Sequence, residues 1–235
     1  GPSFFELDEN NLPKTYESSA KNVFSGLPLF KTQITRLPKK WNISKRKNKR
    51  IVIKEINPFM VNWLIKNFQP KFVYLIRHPA AVADSFNRLG YNGKQLKSRF
   101  NEKTLEKYNN WKDCTHSFWT DHGAMQAIVL NEILNQVGNY KDFRLVQYED
   151  LCQDALSVFK ELYDFTELQW DTTIEKQILE RTQPQTVDSH DFSTQRNSAY
   201  EMNKWKQQIP KDQIDQVKEG YLAFSPKYYN NDWPD

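Results

Sequence analysis

Lys71-Phe72-Val73-Tyr74-Leu75-Ile76-Arg77-His78-Pro79-Ala80-Ala81-Val82-Ala83-Asp84-Ser85 is the stretch on which the fold turns. Residues 72–76 form an unbroken apolar run of aromatic and branched side chains, the strongest strand signal in the chain. Pro79 then occupies a position that the first turn of a helix accepts, and Val82, Ser85 and Phe86 continue at helical spacing. Upstream, the short β-branched segment Arg50-Ile51-Val52-Ile53-Lys54 predicts another buried strand. Asn57-Pro58 predicts a helix start over Phe59, Val61, Trp63, Leu64 and Phe68, stopped by Gln69-Pro70. Strand, helix, strand, helix is the order of a parallel sheet.

Residues 87–110 carry Gly90 and Gly93 with little apolar periodicity, which suits an excursion from the sheet. A long helix is predicted from Trp111 to Val137, where Phe118, Met125, Ile128, Val129, Ile133 and Val137 recur at three and four, ending near Gly138. Phe143-Arg144-Leu145-Val146-Gln147-Tyr148 reads as a third strand, Glu149-Asp150-Leu151 leaves it, and helices follow over 156–165, 171–181 and 210–224. Residues 1–50 form a polar, basic N-terminal segment of loop and short helices, and 51–235 the core.

The chain has 235 residues, enough for one α/β domain, with 38% hydrophobic and 26% charged residues and a net charge of +4. Mean hydropathy is −0.80, and no apolar run approaches the roughly 18 residues that cross a bilayer, so no membrane partner is expected. Two cysteines, Cys114 and Cys152, without a secretory signal point to a reducing compartment, and we expect a cytoplasmic protein. No cysteine pair or zinc-ligand spacing occurs. Only seven glycines are present, placed so that neither GxGxxG nor GxxxxGK[ST] can be written, which excludes an ordinary dinucleotide or Walker loop from this sequence. Eight basic residues lie between Arg36 and Arg50, with Trp41 as the one aromatic and no RNA-binding signature, so nucleic acid is not the expected partner.

In an open α/β sheet, ligands dock beyond the carboxyl ends of the strands, which is where Arg77 emerges. The helix start at Pro79 offers unpaired N–H groups and a positive dipole, Arg77 a planar fork for phosphate oxygens, and Ser85 a hydroxyl two turns on. These are the parts of a phosphate clamp. His78 neighbours it and is expected to point away from Arg77.

The strand Lys-Phe-Val-Tyr-Leu-Ile-Arg-His-Pro, an Arg and Ser eight apart, and the later Val-Gln-Tyr-Glu-Asp-Leu together resemble the sulfotransferases that use 3'-phosphoadenosine 5'-phosphosulfate (PAPS). The resemblance covers about residues 51–206 and implies a three-layer α/β sandwich with a central parallel sheet flanked by helices, the P-loop-NTPase-like sulfotransferase fold. It places Arg77 and Ser85 on the 3'-phosphate and Tyr148 beside the adenine, with Glu149 and Asp150 bracing the loop. Ser193-Thr194-Gln195-Arg196 and Asn203-Lys204-Trp205-Lys206 look like the family's basic closing segment, here about 187–206, although the glycine of the common Arg-Lys-Gly form is absent. This makes Arg196, Trp205 and Lys206 further nucleotide ligands. Trp205 read without the resemblance simply pins a helix to the core.

Lys54-Glu55 resembles the position where glycan-acting members place a lysine and a catalytic carboxylate, so Glu55 is the first candidate base and Lys54 a charge neutraliser. His122 and His116 are the alternatives, both expected on the long helix. The reaction implied is metal-free in-line transfer of a sulfonate from PAPS, leaving 3'-phosphoadenosine 5'-phosphate (PAP). The acceptor is a hydroxyl or amine on a small molecule, a glycan or a carrier. Its contacts are sought in the lid at 87–110, with Phe86, Leu89, Tyr91 and Phe100.

The family's opening strand and Pro-Lys/Arg-Ser-Gly-Thr-like loop are missing. Glu17-Ser18-Ser19-Ala20-Lys21 has the serines but neither the glycine nor a preceding strand. Because that strand is central in the family, its loss would leave two unpaired buried edges, and we expect an incomplete view of an enzyme. The competing class is binding without catalysis, of a 3',5'-adenosine nucleotide or, through the basic run, of nucleic acid.

Overall fold

The computed structural model describes residues 14–26, 50–54, 57–91, 96, 99–113, 116–182 and 198–234. Helix α1 (Lys14–Phe24) lays Tyr16, Ala20 and Phe24 against Met60, Trp63 and Leu64 of the segment before the first strand. Phe24 stacks on Phe68 at 3.9 Å between ring centres, so the N-terminal segment and the core meet in one apolar contact. The stretch Glu17–Lys21 lies inside this helix, which rules it out as a strand-following loop. The predicted start at Asn57 is real. Its side chain accepts the Phe59 N–H, a 3-10 turn (Pro58–Met60) follows, and α2 (Val61–Phe68) runs to Gln69, which ends it in the left-handed conformation at φ 44°.

Strands β1 (Phe72–Ile76) and β2 (Phe143–Gln147) pair in parallel, with Phe72 opposite Phe143 and Ile76 opposite Gln147. Parallel neighbours require a crossover. It is made by α3 (Pro79–Arg88), α4 (Glu102–Lys107), a 3-10 turn (Asn109–Asp113) and the long α5 (Phe118–Val137). One sheet face packs Phe72, Tyr74 and Phe143 on Val61 of α2 and Ile133 and Val137 of α5. On the other, Arg144 lies over the Phe165 ring of α7 (Ala155–Thr166) at 4.6 Å. Helices therefore flank a parallel sheet, as expected for the α/β class.

Three expectations need correction. Residues 50–54 form no strand, because the side chains that suggested one find no cover: Val52 is 84% exposed and Ile51 45%. The sheet has two strands among the described residues, and these pair directly with each other. No gap for a central strand separates β1 from β2. The long helix starts at Phe118, not Trp111, because Ser117 caps it by accepting the Thr120 N–H at 3.1 Å. His116 therefore precedes the helix instead of riding on it.

After β2 the chain continues through α6 (Tyr148–Gln153), α7, α8 (Thr172–Thr182), α9 (Ser198–Gln208) and α10 (Lys211–Leu222). Helices α5 and α10 cross so closely that only glycine fits at the contact. A Cβ on Gly123 would sit 2.1 Å from the Val217 carbonyl oxygen, and one on Gly220 2.0 Å from that of Thr120. This crossing draws the C-terminal residues over the carboxyl ends of the strands, where Trp205, Tyr221, Tyr229 and Trp233 join the main core.

Candidate functional site at the strand ends

Two consecutive residues leave β1 and enter different surroundings. Arg77 is half-buried, and its guanidinium lies 4.5 Å from the ring centre of Tyr148, the first residue of α6. Cation and ring face each other because β1 and β2 are paired in register, so the residue after each strand emerges at the same edge. Ser85 is half-buried on α3, eight residues on from Arg77.

His78 is only 3% exposed. Its Nδ1 accepts the Ala80 N–H at 3.3 Å and its carbonyl accepts the Val82 N–H, so the start of α3 is capped from within. The Ala80 N–H, one of the donors expected to be free at this helix start, is thus occupied by the protein's own side chain. The imidazole stacks on Trp205 at 4.2 Å and meets the edges of Trp233 at 4.6 Å and Tyr229 at 5.3 Å. Burial, followed by the nearby Lys206 charge, pushes its pKa down to about 3, so the ring is neutral at ordinary pH.

Glu149 holds the two sides together. One carboxylate oxygen accepts the His78 backbone N–H at 2.9 Å and the other accepts the Tyr229 hydroxyl at 2.6 Å. The bracing role expected of Glu149 is thus met by a specific pair of bonds, joining the end of β1, the start of α6 and the C-terminal segment. Burial and this carboxylate raise the Tyr229 pKa, which keeps the phenol a donor.

A cavity of about 470 Å³ opens beside His78. Trp205, Tyr229 and Trp233 form its aromatic wall, and Gln147, Asp150, Gln153, Asn203, Lys206 and Asp232 its polar rim. Trp205 is 2% exposed and pins α9 to the core, whereas Lys206 is exposed, with its ammonium 5.7 Å from the Trp205 ring centre. The structure therefore brings Arg77 to Tyr148, and Trp205 and Lys206 to His78. Neither Arg77, Ser85 nor Tyr148 lines the cavity.

Of the reacting-group candidates, Lys54 is exposed, and Glu55 lies outside the described residues, as does Arg196. His122 is fully buried on α5 between Phe86 and Phe118, at 5.1 and 4.5 Å, with neither ring nitrogen hydrogen-bonded. Burial, and then the Arg99 charge, lower its pKa to about 4. Sequence reasoning overlooked Tyr229, Trp233 and Asp232. The aromatic spacing of Tyr228-Tyr229 and Trp233 in an otherwise polar tail was the available signal.

Residues 29–172 match the family model described as the sulfotransferase family, more than half of the chain. The chain belongs to that family. The match includes Lys54, Glu55, Arg77, Ser85 and Tyr148 and stops short of the segment at 187–206. Carbohydrate sulfotransferase 3 of Mus musculus is 28% identical over 122 residues, covering 44% of this chain and 25% of that protein. Its Homo sapiens counterpart is 25% identical over 158 residues, covering 60% and 29%. The chain thus spans less than a third of the length of these relatives. A solved sulfotransferase domain from the curacin biosynthetic pathway superposes with a TM-score of 0.50 at 17% identity, over 92% of this chain and 81% of that one, and shares the sulfotransferase fold. Among the described residues of this sulfotransferase-family chain, no cluster of His, Cys, Asp and Glu could hold a metal, and no helix is long and apolar enough to cross a membrane.

Proposed function

We propose that the protein transfers a sulfonate group from PAPS to an acceptor hydroxyl or amine. The observation that carries this reading is the Arg77 guanidinium set against Tyr148 where two parallel strands end, inside the segment that matches the family. The site suits such a donor: a fixed cation and a hydroxyl for a phosphate dianion, and an aromatic face for a base. The donor supplies the sulfonate together with a good leaving group, so that the sulfur–oxygen bond to the nucleotide phosphate breaks as one to the acceptor oxygen or nitrogen forms, releasing PAP and a proton.

Arg77 and Ser85 bind the 3'-phosphate in this reading, Tyr148 faces the adenine, and Glu149 fixes the backbone from which Arg77 projects. Arg196, Trp205 and Lys206 stand as closing-segment ligands, of which Lys206 has its charged end exposed. Glu55 takes the acceptor proton and Lys54 offsets charge on the leaving phosphate. His122, sealed between Phe86 and Phe118, is out of an acceptor's reach and drops out as the alternative base. The relatives named carbohydrate sulfotransferase make a sugar hydroxyl the first acceptor to try. A cytoplasmic location is the one we favour from the cysteine content.

A thermal-shift comparison tests the nucleotide reading. PAP should stabilise the protein at concentrations where AMP does not, and equal shifts would overturn it. Glu55→Gln should abolish transfer while leaving that shift in place, and retained turnover would remove Glu55 from the mechanism.

A further inference from the structure

We infer that Tyr229 is a positioning residue for recognition of the nucleotide 3'-phosphate: acting through Glu149 from the far end of the chain, it sets where Arg77 stands. The inference rests on the sulfonate-donor reading above and adds to it a determinant that touches no part of the nucleotide.

The path is a short series of hydrogen bonds. The Tyr229 hydroxyl donates to one carboxylate oxygen of Glu149 at 2.6 Å, and the other oxygen accepts the His78 backbone N–H at 2.9 Å. That N–H belongs to the planar peptide that begins at Arg77, so the carboxylate fixes the backbone directly behind the arginine side chain. Glu149 is half-buried and Tyr229 is 6% exposed, which leaves water little room to take the place of the phenol. Bonds to a carboxylate oxygen are among the stronger kinds.

Tyr229 is itself held in an unfavourable conformation. Its backbone is left-handed at φ 57°, a region that bulky side chains rarely enter. Neighbours impose it. The Trp233 indole N–H donates to the Tyr229 carbonyl at 2.7 Å, and the Tyr221 hydroxyl of α10 donates to the Tyr228 carbonyl at 3.0 Å. A tail that only filled the core could do so with relaxed backbone. This one aims a single phenol at a single carboxylate, and strain of this kind collects where geometry serves a ligand.

The geometry served is the edge where both strands end. Glu149 directly follows Tyr148, whose ring lies 4.5 Å from the Arg77 guanidinium. One carboxylate therefore registers the cation against its ring, through its own backbone on the Tyr148 side and through the His78 peptide on the Arg77 side. A planar fork presented to a dianion loses binding when it is displaced. Without the Tyr229 bond, Glu149 keeps the His78 N–H but is free to turn, and Arg77 loses its fixed place. AMP lacks the 3'-phosphate and does not depend on that placement.

The test is a double-mutant cycle on the full chain, read by titration calorimetry with PAP and with AMP as the control ligand. The parent, Tyr229→Phe, Arg77→Ala and the double variant are compared at a temperature where melting curves show each one folded. Tyr229→Phe should weaken PAP by roughly three- to five-fold and leave AMP unchanged. In the Arg77→Ala background the same substitution should change PAP affinity by less than about 1.5-fold, because the group it positions is gone. Trp233→Phe removes the indole N–H that fixes the Tyr229 backbone and should weaken PAP in the same direction, so it decides the matter if Tyr229→Phe does not fold. An equal loss in both backgrounds, equal losses for PAP and AMP, or unchanged PAP affinity would overturn the inference and leave the donor reading standing. A parent that binds PAP no more tightly than AMP would overturn the donor reading, and the inference with it.

Discussion

Arg77 and His78 are neighbours in sequence, yet one keeps a half-exposed cation over the Tyr148 ring while the other is buried among Trp205, Tyr229 and Trp233. The difference follows from where the chain leaves β1. Successive residues of an extended segment point to opposite sides, so a single peptide step separates the solvent-facing side of the strand ends from the side that α9 and the C-terminal segment cover. The lesson is that two adjacent residues, expected to point apart, form a charged half suited to a ligand and a packed half that holds the backbone. Glu149 ties the halves by accepting from His78 and Tyr229.

That division can be broken most severely from the packed side. Trp205→Ala should remove about 3–5 kcal/mol of stability, because a large buried ring stacked on His78 leaves a void the core cannot close. Urea unfolding would measure it, and a loss below about 1 kcal/mol would show that the packed half is ornamental to the fold. Arg77→Ala should act in the opposite way, weakening PAP by roughly ten- to hundred-fold, the range for losing charged hydrogen bonds, with little change in melting temperature. Arg77→Lys should recover only part of the affinity, since an ammonium lacks the planar fork. Titration calorimetry would decide both.

Tyr229→Phe sharpens the role of the tie. Losing a 2.6 Å bond to a carboxylate should cost about 1.5–3 kcal/mol in stability and affect PAP binding less than Arg77→Ala does. Equal losses in both measurements would mean that the halves are not separable. The smallest expected effect is on pH dependence. The folded protein holds His78 near 3 against an ordinary value of 6.5, so the stability it contributes is complete above about 6.5. It is lost as pH falls toward 3, because the unfolded chain takes up a proton that the folded one refuses. His122, held near 4, adds a slope of the same sign. Melting temperatures between pH 7 and pH 4 should therefore decline less steeply in His78→Asn than in the parent.

The stretch 71–85 was readable because everything it needs is local: an apolar run too short for a helix, a proline at a tolerated position and helical spacing after it. The helices over 156–165, 171–181 and 210–224 also occur within a residue or two of their expected ends, at Ala155–Thr166, Thr172–Thr182 and Lys211–Leu222. Ile51-Val52-Ile53 has strand composition and forms none, because a strand is made by its neighbour and none of the described residues pairs with it. For the candidate site, the positions of Arg77 after the first strand and Tyr148 after the second were legible from the strand patterns that precede them. The cavity beside His78 was not, since its walls come from β2, α6, α9 and the last residues of the chain.

The amino-acid order alone determined the parallel α/β character, the family, and which arginine stands at the end of the first strand, for each of these is written in patterns a few residues long. Only the tertiary structure decided that His78 caps its own helix, that Glu149 bridges two distant segments, and that an acidic, aromatic-walled cavity lies beside the basic half. Burial and hydrogen-bond pairing at that edge depend on residues up to 80 positions apart, as Glu149 and Tyr229 are. No local pattern encodes a contact of that range, because it exists only once the α5–α10 crossing at Gly123 and Gly220 has brought the chain end over the sheet.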